Sequence, residues 1–362
     1  MKADVLSLKE KIGQMFMISL NSKGSVSKNT IDMIQNYKVG GVILYRKNYE
    51  TYEEMIEIIN QLKRANKGNK VPLIISIDQE GGRVSRFPKE QINRLYNAYT
   101  VAKTGSIKNV EKNSEIIAKL CSQSGINMNF APVLDIKRFE DTQAIGDRCF
   151  SEDKEEIIKC GIASVRQYKK NDVIPVIKHF PGHGATQTDS HSGIPIIESS
   201  KEDLENNDIE VFKKVIASGQ TDAIMVGHLL VKSLDDKYPA SFSKKIIEEY
   251  LSDYNGIIIT DDFKMRAVLL HYNVIKASYR SIDAGANIVM MGLPYFVVKM
   301  SINNMIKSVR NKKIDINKID IGVSKILATK EKYNLNDDEV KGVDTKEINK
   351  EIDDLNKKIK KA

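Results

Sequence analysis

Ionisable residues follow short apolar runs at five places in the chain. Asp78 follows Leu73–Ile77, and Asp135 follows Phe130–Leu134. Lys178 and His179 follow Ile174–Ile177, His228 follows Ile224–Gly227, and Asp261 with Asp262 follows Ile257–Thr260. One such residue means little, because a strand has to end in something polar. Five strand ends delivering charge to one rim point to an enzyme acting on a polar, hydroxyl-rich or anionic small molecule. The densest cluster is Lys178-His-Phe-Pro-Gly-His-Gly-Ala-Thr-Gln-Thr-Asp-Ser-His191, which holds three of the five histidines. Within it, Asp189 stands two residues before His191 on a Gly-containing loop. A carboxylate that accepts from one ring nitrogen fixes the tautomer and leaves the other nitrogen to exchange a proton with substrate. Asp261 supplies a strand-end carboxylate, either as nucleophile or as charge partner.

A metal is the competing reading of the histidines. His179 and His183 are four apart, as in helical zinc motifs, but Pro181 and Gly182 between them prevent a helix from presenting both on one face. No Cys or Glu stands at zinc-like spacing, so neither a metal nor a cofactor is expected. Gly81-Gly82, after Asp78, allows a loop to approach a ligand closely, although it matches no nucleotide fingerprint. Arg83 and Arg86 follow; a surface salt bridge is the plainer reading for Arg83 and a site role the plainer one for Arg86.

These residues need a scaffold that brings strand ends together. Eight short runs rich in Ile, Val or Met lie at 14–20, 39–45, 73–77, 126–130, 173–177, 223–226, 256–260 and 287–291. They lack polar alternation, which suits parallel strands buried on both faces. Amphipathic stretches lie between them, among them 51–65, 110–122, 154–169, 204–217 and 274–284, with Gly125, Gly219 and Gly285 as C-terminal stops. The count predicts an α/β chain folded as one (β/α)8 TIM barrel over residues 1–333, with a doubly wound open sheet as the rival. Residues 334–362 form a charged C-terminal tail. Ile348, Ile352, Leu355 and Ile359 make one apolar stripe there, and Asp344 with Glu347 resembles a capping box, so a helix packed on the barrel is expected.

The 362 residues carry 56 Lys+Arg against 48 Asp+Glu, a net charge of +8, with the lysines dispersed among acidic neighbours instead of clustered. That distribution argues against nucleic-acid binding. No run reaches the length of a membrane span, and the charged first residues do not read as a signal peptide. Three cysteines, Cys121, Cys149 and Cys160, read as free thiols in a reducing compartment. A cytoplasmic monomer is therefore expected; an extracellular location would require a signal peptide removed beforehand.

Several segments, in order, resemble glycoside hydrolase family 3, in its bacterial β-N-acetylglucosaminidase branch. They are Ile77-Asp-Gln-Glu-Gly-Gly-Arg-Val-Ser-Arg-Phe87, Asn129-Phe-Ala-Pro-Val-Leu-Asp135, Arg148-Cys-Phe150, Lys178-His-Phe-Pro-Gly-His-Gly184 with Asp189-Ser-His191, and Thr260-Asp-Asp-Phe-Lys-Met265. The resemblance implies a (β/α)8 barrel and a retaining mechanism through a covalent glycosyl-enzyme. It implies Asp261 as nucleophile, with Asp262 the neighbouring alternative, His191 as acid/base and Asp189 as its partner. It implies that Asp78, Arg86, Arg148, Lys178 and His179 hold the sugar's hydroxyls and N-acetyl group, with His183 and His228 in support. The implied substrate is a terminal non-reducing β-GlcNAc on peptidoglycan fragments such as GlcNAc–MurNAc, its anhydro form or muropeptides. Transfer to phosphate in place of water is the near alternative, and a non-catalytic sugar-binding protein the distant one.

Overall fold

The computed structural model describes residues 2–139, 144–186 and 193–362. Eight parallel strands follow in sequence: β1 (Phe16–Ser19), β2 (Gly41–Leu44), β3 (Ile74–Ile77), β4 (Met128–Asn129), β5 (Ile174–Phe180), β6 (Ala223–Val226), β7 (Ile257–Thr260) and β8 (Val289–Met291). Each pairs with its sequence neighbours, and β1 also pairs with β8. The bridge Ile259–Ile288 joins β7 to β8, with Thr260 N–H donating to Ile288 O at 3.0 Å, and so completes the ring. Every strand residue is buried, because the ring is filled within and covered by helices without. This is the (β/α)8 barrel, and the eight apolar runs are its strands.

The covering helices begin where a side chain can satisfy free backbone N–H groups. Thr51 caps Tyr52–Asn66, Asp153 caps Lys154–Lys170, Ser243 caps Lys244–Leu251 and Asn273 caps Val274–Ala284. Caps of this kind contribute about 1 kcal/mol each. Gly285 ends its helix in the left-handed conformation at φ 117°. The stretch 204–217 departs from a single helix. It divides into Lys201–Asn206 and Asp208–Ala217 at Asn207, whose backbone leaves the helical region. The Asn207 amide donates to both Asp203 O and Asp203 Oδ1, competing with the helical ladder, and Arg138 spans the break to Asp203 and Asp208. A two-stranded parallel pair, Ile196–Ile197 with Leu230–Val231, also goes beyond the sequence reading; it ties the segment after β5 to the one after β6.

The residues after Asn334 are strapped to the barrel. Asp337 accepts from Leu73 N–H and Asn66, and Val340 exchanges two hydrogen bonds with Asn60. Helix Thr345–Lys361 buries Ile348, Ile352, Leu355 and Ile359. Its Glu351 pairs with Lys112 at 2.6 Å and Lys119 at 3.3 Å on helix Ile107–Gln123. Asp344 alone makes the cap, accepting from the N–H groups of Lys346 and Glu347. Among the described residues no helix is long and apolar enough to cross a membrane. Cys121, Cys149 and Cys160 are free and buried.

At the end of the barrel where the strands begin, Lys330 is 3% exposed and donates to Gln14 Oε1, Gly40 O and Pro72 O at 2.7, 3.0 and 2.7 Å. Burial pushes this ammonium down to about 7. Between that value and the ordinary lysine range, the unfolded chain holds a proton that the folded chain has released. Folding stability then rises with pH across this window, by up to about 1.4 kcal/mol per pH unit. Denaturant midpoints of the wild type and Lys330→Met, measured at pH 6.5 and 9.5, are expected to diverge in the wild type's favour at the higher pH. Parallel pH profiles would overturn this reading of Lys330.

Candidate active site

A cavity of about 640 Å³ opens at the C-terminal ends of the strands. Its lining includes Asp78, Arg86, Arg148, Lys178, His179 and Asp261. The structure thus gathers six of the sequence-predicted residues from three strand ends, the loop after β3 and the loop after β4. Asp189 and His191 lie outside the described residues. The flanks of their segment are fixed. Gly184 lies so close to Ile136 that a Cβ there would stand 1.7 Å from its carbonyl oxygen, and Ile196–Ile197 is paired.

The charged floor is organised by Glu80, which the sequence reading passed over. Glu80 is 8% exposed. Arg148 grips it with two parallel bonds, Nε to Oε2 and Nη2 to Oε1, each 2.8 Å, and Lys178 Nζ reaches Oε1 at 2.6 Å. Burial alone would raise this carboxyl, but Arg148 and Lys178 outweigh it and hold Glu80 far below the usual range. Arg148 is held above its own range by the same contact against the opposing effect of burial. Lys178 also donates to Asp78 Oδ1 at 3.0 Å, and Arg86 Nη2 stands 3.8 Å from Asp78 Oδ2. Arg86 Nε is buried with no partner among the described atoms. Arg83, which also lines the cavity, donates to Asp147 at 3.0 Å, the salt bridge its exposure suggested.

Lys178 and His179 are consecutive, yet both line the cavity. The register of β5 shifts between Ile177 and Phe180, which breaks the ordinary alternation of faces. Asp135 orders this turn; it is buried six residues beyond the end of β4, in the connection and not at the strand end its preceding apolar run suggested. Its Oδ2 lies 2.7 Å from His179 Nδ1, and its Oδ1 accepts from His183 N–H at 2.7 Å. Burial works against its charge, but the two histidines hold it below the usual range. With Nδ1–H given to Asp135, His179 turns Nε2 toward Arg148, 3.4 Å away. His183 packs edge-on to His179, and burial and that neighbour push it down, toward the neutral ring. His228 bonds Ser241 at 2.7 Å behind the site, is pushed down by burial, and keeps Nε2 unpartnered among the described atoms.

The adjacent aspartates after β7 differ in every respect that governs reactivity. Asp262 Oδ1 accepts from Gly292 N–H at 2.7 Å and Lys264 N–H at 2.9 Å, while Oδ2 accepts from the Tyr45 hydroxyl at 2.9 Å. A Cβ at position 292 would stand 2.3 Å from Asp262 Oδ2, so glycine there makes room for the carboxylate. Burial raises Asp262. Asp261 accepts one such bond, from Asp262 N–H at 2.8 Å, and is half-buried against the cavity. Burial opposes its charge, but His179, His228, the Asp262 N–H and Lys178 hold it below the usual range. Asp261 thus lines the cavity as a carboxylate held toward its ionised form, with one oxygen uncommitted among the described residues, whereas Asp262 is a framework group. Among the described residues no three of His, Cys, Asp and Glu are grouped to hold a metal ion.

A family model, the glycosyl hydrolase family 3 N-terminal domain, matches residues 7–329. The chain is 33% identical over 270 residues to a beta-hexosaminidase of Tolumonas auensis, with 72% of this chain and 77% of that protein covered. It is 31% identical over 280 residues to beta-hexosaminidase A of Pseudoalteromonas piscicida, where 72% of this chain spans 47%, about half, of the relative. A solved structure of a glycoside hydrolase family 3 β-N-acetylglucosaminidase from Paenibacillus sp. superposes with a TM-score of 0.90 at 29% identity, covering 98% of this chain and 69% of that one. Barrel, rim and match together place the chain in glycoside hydrolase family 3.

Proposed function

We propose that the chain is a retaining, exo-acting β-N-acetylhexosaminidase that removes terminal non-reducing β-GlcNAc, with peptidoglycan-derived GlcNAc–MurNAc fragments and muropeptides as its natural substrates. The observation that carries this reading is the contrast between Asp261 and Asp262. Of two neighbouring carboxylates, the one to which the described residues leave a free oxygen is also the one held below the usual carboxylate range, whereas burial raises the other. The names of the relatives, beta-hexosaminidases and a β-N-acetylglucosaminidase, support the choice of sugar.

In this mechanism Asp78, Arg86, Arg148, Lys178 and His179 fix the hydroxyls and N-acetyl group of the terminal sugar. Arg148 and Lys178 are pinned by Glu80, so their donors are set before the sugar arrives. Asp261 attacks the anomeric carbon while His191 protonates the departing oxygen. The glycosyl-Asp261 ester then yields to water, which His191 deprotonates, and Asp189 orients the ring throughout. Most retaining glycosidases use two carboxyl groups about 5 Å apart. A histidine in the second role carries no negative charge when unprotonated and so repels an incoming anionic acceptor less, which is what transfer to phosphate, the near alternative, would use.

Release from an aryl β-N-acetylglucosaminide, with and without phosphate in the buffer, tests this. Free GlcNAc is expected in both buffers. Asp261→Asn should lose about a thousandfold or more in kcat, and Asp262→Asn should lose less. GlcNAc-1-phosphate as the main product would replace hydrolysis by phosphorolysis, and an active Asp261→Asn enzyme would overturn the nucleophile.

Glu80→Gln should raise KM for the sugar about tenfold, the worth of one charge-assisted bond. It frees Arg148 and Lys178 to relocate, whereas kcat should change less. An unchanged KM in a folded variant would contradict the pinning role.

A further inference from the structure

The connection after β3 runs from Asp78 to Asn97 and carries Glu80, Arg83 and Arg86 to the cavity wall. Its tip is a tight turn, in which Glu80 N–H donates to Val84 O at 2.9 Å and Val84 N–H to Gly81 O at 3.1 Å. The tip rests on the returning part of the same connection. Gly82 N–H donates to Leu95 O at 3.0 Å, and Arg94 Nε donates to Gly82 O at 3.1 Å. A Cβ at Gly82 would stand 2.5 Å from Asn97 Cβ, so tip and returning segment are in direct contact. Asn97 Nδ2 also donates to Asp147, the neighbour of Arg148, at 2.7 Å. The returning segment therefore supports both sides of the Glu80–Arg148 pair.

Residues 91–94 form neither helix nor strand. The C-terminal helix Thr345–Lys361 meets their polar groups instead. Asn349 Nδ2 donates to Gln91 O at 2.8 Å, and its Oδ1 accepts from Asn93 N–H at 2.8 Å. Asp353 Oδ1 accepts from the Asn93 side chain at 2.9 Å, and Asn356 Nδ2 donates to Arg94 O at 2.9 Å. Positions 349, 353 and 356 are spaced by four and three, so they share one face of the helix. Each stands one residue after a member of the buried apolar row Ile348, Ile352 and Leu355. On the other flank of that row, Glu351 holds Lys112 and Lys119. The apolar row and Glu351 attach the helix to the barrel, and the polar row grips the loop.

We propose that this polar row makes the C-terminal helix part of the sugar-binding apparatus. Asn349, Asp353 and Asn356 fix the returning segment, which fixes the tip, which sets Glu80 and Arg86. None of the three lines the cavity, so they are positioning residues. The inference rests on the hexosaminidase reading and adds to it a determinant of sugar affinity outside the barrel's own connections.

The test compares the wild type with the triple variant Asn349→Ala, Asp353→Ala, Asn356→Ala. Hydrogen exchange read by mass spectrometry follows the peptide 79–87, and an aryl β-N-acetylglucosaminide gives KM and kcat. The peptide should exchange about tenfold faster in the variant, whereas peptides from helix Ile107–Gln123 should not change. KM should rise about tenfold, with kcat altered less. Adding Glu80→Gln to the triple variant should raise KM little further, because both act through one loop. Asn356→Ala alone removes a single bond and should shift exchange and KM the same way, KM by about threefold; it carries the test if the triple variant does not fold. Unchanged exchange at 79–87, unchanged KM in a folded variant, or fully additive effects with Glu80→Gln would each overturn the proposal. No release of GlcNAc by the wild type would overturn the hexosaminidase reading instead, and the exchange comparison, which needs no turnover, would still support or overturn the grip on the loop.

Discussion

At the mouth of the barrel, one carboxylate and two cations share a space from which water is largely excluded. Glu80, Arg148 and Lys178 come from two connections and the strand β5, and each is costly to bury alone. Together they compensate one another, with Arg148 bidentate and Lys178 passing a further bond to Asp78. The loop after β3, the loop carrying Arg148 and the end of β5 are thereby locked to one geometry. Removing Glu80 leaves two buried cations without their shared partner, so the site and the local fold are the same constraint.

Around that lock the protein sorts similar groups into different roles by their surroundings. Asp261 and Asp262 share a turn, yet the three donors around Asp262 leave it nothing to offer a substrate. Asp135 fixes the tautomer of His179 and the backbone of His183, so a buried carboxylate that never meets the cavity determines what the cavity presents.

The barrel was legible because eight apolar runs without alternation have few other arrangements, and each run proved to be a strand. The rim was legible in part for the same reason: Asp78, Lys178, His179 and Asp261 follow such runs and line the cavity, whereas Asp135 and His228 also follow such runs but are buried behind it. Other features depend on partners far away in sequence. Glu80 reads as an ordinary loop acid until Arg148 and Lys178 fold onto it. Tyr45 reads as the end of a strand until its hydroxyl crosses to Asp262, 217 residues away. The break at Asn207 needs Arg138 from another connection, and the charged residues after Asn334 reveal their place only when Asp337 and Glu351 find the barrel's own groups. Nothing in local composition separates Asp261 from Asp262; their hydrogen-bond partners do.

The central claim is that Asp261 becomes covalently bonded to the sugar. A fluorinated N-acetylglucosaminyl substrate that forms the glycosyl-enzyme faster than water removes it tests this directly. Peptide mass spectrometry of the stalled enzyme, with fragmentation to the residue, should place one sugar adduct on Asp261 and none on Asp262. An adduct on Asp262, or turnover with no covalent species under conditions that stall the second step, would contradict the account.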